Sequence, residues 1–186
     1  NFNPVHLAHL VMADQVQNQL GLDKVYLMPT YLPPHVDEKK TISSEHRLAM
    51  LELAVADNPC LDIEPIELIR KGKSYTYDTM KALKEANPDT DYYFIIGGDM
   101  VEYLPKWHRI DDLLHLVQFV GIRRPNYPTE STYPIIWVDV PQMAISSTLI
   151  RQKVKSGCST RYLLPENVIN YIQEKGLYQD ELDNKL

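Results

Sequence analysis

Cysteine is scarce in this sequence: Cys60 and Cys158 are the only two, far apart and with no CxxC pair. They read as two thiols kept in a reducing compartment. Zinc is a poor fit for the same reason, and the HExxH signature is missing as well. No uninterrupted apolar run approaches a membrane span. No GxGxxG fingerprint of a dinucleotide-binding turn occurs. A surplus of basic charge is lacking too. The formal net charge of −6 argues against a nucleic-acid binder that relies on non-specific phosphate contacts. It leaves room for a small anionic ligand, because donors gathered in a cleft can oppose the net field. Internal repeats, low-complexity stretches, a domain linker and a visible signal peptide are likewise absent, and cytoplasmic location is the default expectation.

What is present suits one globular domain. The chain has 186 residues, 44% of them hydrophobic and 24% charged, enough to bury a substantial core. Helical and strand signals alternate, which predicts a parallel sheet with crossover helices. A helix is expected from about Leu7 to Leu20, with Leu10, Val11, Val16 and Leu20 inward and Gly21 near its stop. Val25 to Met28 reads as a buried strand ended by Pro29. A long proline-rich, charged loop then runs to Ile42, at the strand edge where open α/β sheets bind ligands. Ser43 or Ser44 can cap a helix carrying Leu48, Leu51 and Val55. Leu61–Ile63 is a short strand, and Ile66–Arg70 is expected to be an extended edge piece. A further helix carries Met80 and Leu83 inward and fades near Ala86. Tyr92–Ile96 is the clearest buried strand and delivers Gly97, Gly98 and Asp99 to the binding edge. Asp111 and Asp112 start a short helix, Val117–Ile122 and Ile135–Val138 are strands, and Arg123 to Pro134 is loop. Pro165 can open a last helix, with Val168, Ile169 and Ile172 packed and Gly176 closing it.

Two segments carry chemistry. In Asn3-Pro4-Val5-His6-Leu7-Ala8-His9, two histidines three apart share a face just where an apolar helix begins. Helix starts offer unpaired N–H groups and a positive dipole end, which suit phosphate. The second segment is Ile145-Ser146-Ser147-Thr148-Leu149-Ile150-Arg151. Ser146 or Ser147 is a good N-cap, and the remaining hydroxyls with Arg151 form a second phosphate cradle. Each segment alone also fits a plainer reading: half-buried histidines, or an ordinary serine cap beside a solvated arginine. Two such helix starts together point to a polyphosphate held between them.

The opening resembles the (H/T)xGH signature of the nucleotidylyltransferase superfamily, and Ile145–Arg151 resembles its ISSTxxR signature. Gly97-Gly98-Asp99 resembles the GxD element, Ser74-Tyr75-Thr76 the SYT element, and Leu104-Pro105-Lys106-Trp107-His108 the tryptophan element of one branch. The combination is similar to the bacterial nicotinate-nucleotide adenylyltransferases. That resemblance implies a Rossmann-like, doubly wound parallel sheet with flanking helices. It implies adenylyl transfer from ATP to nicotinate mononucleotide, giving nicotinate adenine dinucleotide and pyrophosphate in NAD biosynthesis. ATP would bring Mg²⁺ with it, without a dedicated protein cage. His6, His9 and Arg151 are implied as catalytic groups. Phe2, Asn3, Gly97, Asp99, Ser146, Ser147 and Thr148 join them on ATP, and His35, Tyr75, Thr76 and Trp107 on the mononucleotide. Neither a nucleic acid nor a membrane is an expected partner, and a homo-oligomer is left open.

The departures are specific. Ala8 stands where the family usually has glycine, and Val36 where it commonly has a basic residue after Pro33-Pro34-His35. The sequence also starts without the apolar strand that should precede the histidine turn, so native residues are expected before Asn1. Several residues have structural alternatives: Asp99 as a helix cap, Trp107 as a core tryptophan, Thr76 as a cap, and Arg123 and Arg124 as surface charge. Two rival functions share much of the pattern. A phosphopantetheine-directed transferase would keep the histidine turn but not need Trp107. A nucleotide sensor would keep the cradle without turnover.

Overall fold

Leu7–Leu20 forms helix α1 because its apolar residues recur at helical spacing, which buries Ala13 and Val16. Gly21 ends it in the left-handed conformation at φ 61°, returning its N–H to the Asn18 carbonyl. The computed structural model describes residues 1–32 and 41–179, and these separate into two compact units. The first unit comprises the described residues of 1–73 and 141–179, and the second residues 74–140.

In the first unit, strands β1 (Val25–Leu27) and β2 (Leu61–Ile63) pair in parallel, Val25 opposite Leu61. Helix α2 (Ser44–Val55) connects them. Ser43 caps it, its Oγ accepting the His46 N–H. Met50 and Leu51 are fully buried, each contributing roughly 1.5–3 kcal/mol of burial. Helix α6 (Ser147–Lys155) buries Ile150, and α7 (Glu166–Lys175) buries Val168 and Ile172. Gly176 closes α7 at φ 61°.

One expectation in this unit is overturned. Ile66–Arg70 is a helix, α3, and not an extended edge piece. Glu64 Oε1 accepts the Ile66 N–H at 3.0 Å, and the Pro65 carbonyl accepts from Ile69. Proline's fixed φ and this side-chain bond favour a turn start where the apolar letters alone suggested extension. The result is a helical face, with Glu67 and Leu68 buried and Ile69 exposed.

The second unit is a parallel three-stranded sheet in the order β3-β4-β5. Its strands are β3 (Tyr92–Gly97), β4 (Val117–Ile122) and β5 (Ile135–Val138). Register runs from Tyr92 opposite Val117 to Gly97 opposite Ile122. Helices α4 (Thr76–Ala86) and α5 (Ile110–Leu113) flank it. Tyr77, Met80, Val101, Leu104, Leu113 and Phe119 form its core. Gly121 is required there: a Cβ would stand 2.8 Å from the Trp137 ring. The chain leaves β3 as a 3-10 helix, Gly98–Lys106, a regular element that the sequence pattern did not predict.

Candidate active site

The histidine turn lies in the first unit. His6 occupies the N-cap position of α1 in extended conformation, and His9 is the third residue of the helix. Placing them three apart stacks the two imidazoles, with ring centroids 3.7 Å apart and planes tilted by 24°. The ring of Phe2 meets His9 edge-on at 4.8 Å. His9 Nδ1 accepts the main-chain N–H of His6 at 3.1 Å, so His9 in its neutral form carries its proton on Nε2. His6 is buried, and its Nδ1 has no hydrogen-bond partner among the described residues. Burial pushes the His6 pKa down to about 4. Burial, then repulsion from His6, pushes His9 down to about 3. Both imidazoles are therefore neutral at pH 7, and neither supplies a formal positive charge. Ala8 sits inside the first turn of α1, where alanine is the most favourable helix residue.

The second signature docks onto this turn. Ser146 is the N-cap of α6, its Oγ accepting the Leu149 N–H at 3.1 Å. Ser147 Oγ donates to the Pro4 carbonyl at 2.8 Å. Arg151 Nη1 donates to the Asn3 carbonyl at 2.8 Å, and its Nη2 to Thr148 Oγ1 at 3.3 Å. Segments some 145 residues apart in sequence are thus fastened to each other within three residues of His6. They bring together two neutral imidazoles, one guanidinium and a helix N-terminus.

In the second unit, Gly97 ends β3 and Asp99 is the second residue of the 3-10 helix. Gly97 holds the N-cap position of that helix, so Asp99 is not its cap. Asp99 Oδ1 lies 3.8 Å from Arg124 Nε. A Cβ at Gly98 would come 2.7 Å from the Ile122 carbonyl, so glycine is required for the chain to pass so close to β4. Tyr75 takes the N-cap position of α4 and Thr76 is its first residue, without a side-chain cap bond. The Tyr75 ring lies against His108 at 4.5 Å. Trp107 is half-buried and packs edge-to-face on Phe94 and Phe119 at 5.9 Å, so it has a core contact whatever else it does. Arg123 pairs with Asp139 at 2.9 Å on the surface, as expected. His35 and Val36 lie outside the described residues.

Three side chains in contact with these residues were not singled out as site residues from the sequence. Tyr178 donates its hydroxyl to Asn3 Oδ1 at 2.8 Å. Arg47, 1% exposed, donates to the Asn1 and Thr30 carbonyls and so ties the start of the histidine turn to the exit of β1. His108, beside Tyr75, had only its place after Trp107 to mark it. Among the described residues no group of three His, Cys, Asp or Glu side chains could hold a metal ion.

Comparison with known proteins fits this geometry. The cytidylyltransferase-like family model matches residues 1–153. A relative from Streptococcus pneumoniae, described as "probable nicotinate-nucleotide adenylyltransferase", is 63% identical over 178 residues, 96% of this chain and 85% of the relative. A Streptococcus mutans relative with the same description is 63% identical over 179 residues, with the same coverage. Among solved structures, nicotinic acid mononucleotide adenylyltransferase of Plasmodium falciparum, complexed with NaAD, superposes with a TM-score of 0.77. It covers 97% of this chain and 95% of its own at 18% identity, a likeness of fold.

Proposed function

The chain belongs to the nicotinate-nucleotide adenylyltransferases of the cytidylyltransferase-like family, and from that premise we infer how its residues divide the work. The reaction joins ATP to nicotinate mononucleotide, giving nicotinate adenine dinucleotide and pyrophosphate, a step of NAD biosynthesis. A mononucleotide phosphate oxygen attacks the α-phosphorus of ATP as the bond to the β-phosphate oxygen breaks. That nucleophile is already ionised, so no side chain has to remove a proton. Catalysis rests on alignment and on neutralising charge at the α-phosphate and the departing pyrophosphate.

His9 donates from Nε2 to the phosphates, with His6 stacked behind it as the second imidazole donor. Burial keeps both neutral in the free protein, and Arg151 supplies formal positive charge for the triphosphate. The N–H groups at the start of α6, with Ser146, Ser147 and Thr148, complete that cradle. Phe2 and Asn3 serve the ATP side through their contacts with His9 and Arg151. Gly97 gives close backbone approach, and Asp99 is the acceptor for a ribose hydroxyl. On the mononucleotide, the start of α4 at Tyr75 and Thr76 receives the carboxylate, Trp107 faces the pyridine ring and His35 meets the phosphate. ATP enters as its Mg²⁺ complex, the ion held by phosphate oxygens and water, which suits a donor set without a carboxylate cage. A likeness extending over 96% of the chain supports reading it as one nucleotidylyltransferase domain. A cytoplasmic setting fits NAD biosynthesis.

One observation carries this assignment: Arg151 donates to the Asn3 carbonyl and Ser147 to the Pro4 carbonyl, each at 2.8 Å, just ahead of the two histidines. The direct test is pyrophosphate release by the purified protein from ATP with nicotinate mononucleotide, nicotinamide mononucleotide or phosphopantetheine. The expected result is turnover with the first, at the highest kcat/KM. Preference for phosphopantetheine, or no turnover with any of the three, would sink it.

A further inference from the structure

The end of α7 reaches back to the histidine turn through a contact that the reaction itself does not explain. After Gly176 turns the chain, Leu177 donates its N–H to the Ile172 carbonyl at 3.0 Å and buries its side chain. Tyr178 then adopts φ 62°, in the left-handed region that bulky residues avoid. This conformation accompanies a phenol that is 4% exposed, with its hydroxyl donating to Asn3 Oδ1 at 2.8 Å. Asn3 is equally enclosed, also 4% exposed, and its main-chain oxygen accepts Arg151 at 2.8 Å. One residue therefore takes a phenol on its side chain and a guanidinium on its backbone. A strained backbone held in place by its surroundings is a recurring mark of functional positioning.

We infer that Tyr178 is a positioning residue for adenylyl transfer: its hydroxyl fixes the Asn3 side chain, and through Asn3 it sets the docking of Arg151 against the histidine turn. This rests on the reading of Arg151 as the triphosphate cation. Tyr178 touches no reacting atom; its effect passes through the carbonyl on which Arg151 is seated. Removing the hydroxyl leaves Asn3 Oδ1 buried without its donor, and the turn relaxes to find another.

The test is Tyr178→Phe, which keeps the ring and its packing. With ATP and nicotinate mononucleotide, kcat is expected to fall roughly 10- to 100-fold, the scale of a small misplacement of a charged group. KM for ATP should rise, while KM for nicotinate mononucleotide stays within about twofold of wild type. In an Arg151→Lys background the same substitution should cost far less, because the group it positions is already altered. Leu177→Ala is the control: it loosens the same helix end while keeping the hydroxyl, and should lower thermal stability yet leave the kcat of the folded enzyme unchanged. The inference fails if folded Tyr178→Phe keeps wild-type kcat, if its effect is undiminished in the Arg151→Lys background, or if Leu177→Ala lowers kcat equally. Wild-type protein inactive on both substrates would overturn the functional reading itself, a result separable from these.

Discussion

His9 Nδ1 accepts the main-chain N–H of His6 at 3.1 Å, which assigns the proton of neutral His9 to Nε2. The side chain is locked as a donor on the nitrogen that the backbone does not use. His9→Ala removes that donor and the lock together. The expected loss is roughly 100- to 1000-fold in kcat at saturating ATP, about 3–4 kcal/mol, with the fold retained. Steady-state kinetics beside a far-ultraviolet circular dichroism spectrum checks it, and ¹⁵N shifts of the imidazole should report the Nε2–H tautomer at pH 7. Wild-type turnover in the variant would contradict the assignment.

Acid should weaken the first unit through the same pair. A histidine whose folded pKa is depressed binds fewer protons folded than unfolded between its two values. Its contribution to stability is therefore complete above about pH 6.5 and is lost as pH falls toward the folded value. For His6 that window runs from 6.5 down to about 4, and for His9 down to about 3. By pH 5, His6 alone should have removed about 2 kcal/mol. Urea unfolding at pH 7.5, 6.0 and 5.0 measures the decline, and His6→Gln should flatten it. An equal slope in that variant would place the effect elsewhere.

Arg151 holds two roles that charge alone cannot fill: one arm seats on Asn3, the other on Thr148. Lysine keeps the charge but loses the fork. Arg151→Ala should lower kcat roughly 100- to 1000-fold. Arg151→Lys should recover part of that loss with a raised KM for ATP. Full activity in either variant would remove Arg151 from the mechanism.

Trp107 gives a two-part expectation because it packs on Phe94 and Phe119 while standing in the tryptophan element. Trp107→Ala should destabilise by about 3 kcal/mol or more. It should also raise KM for nicotinate mononucleotide by at least roughly tenfold with KM for ATP unchanged, the mark of lost uniform binding. Trp107→Phe should regain most of the stability and part of the affinity. If stability falls while KM for the mononucleotide is unmoved, the residue is core alone.

Much of this was legible in the residues because the deciding interactions are local. Gly21 and Gly176 end α1 and α7 where a left-handed residue was needed, and Ser146 caps α6 through a bond three residues long. The strands Val117–Ile122 and Ile135–Val138 came out with the bounds expected of them. Ile66–Arg70 misled because five mostly apolar residues do not distinguish helix from strand, and the deciding bond comes from Glu64. The 3-10 helix after Gly97 was hidden by Pro105 within it, which reads as a breaker. Partners such as Tyr178 and Arg47 were illegible in principle. Nothing in the neighbourhood of a tyrosine 175 positions from Asn3 announces that the two will meet.

That separation has a temporal consequence. The residues closing on the histidine turn arrive late from the ribosome: Ser147 and Arg151 follow their partners by 143 and 148 positions, and Tyr178 by 175. Contacts so distant in sequence form slowly, after long loops have closed. A nascent chain with α1 and both sheets already emerged would still lack Arg151 and Tyr178, so their bonds to Asn3 form only after those residues have been made.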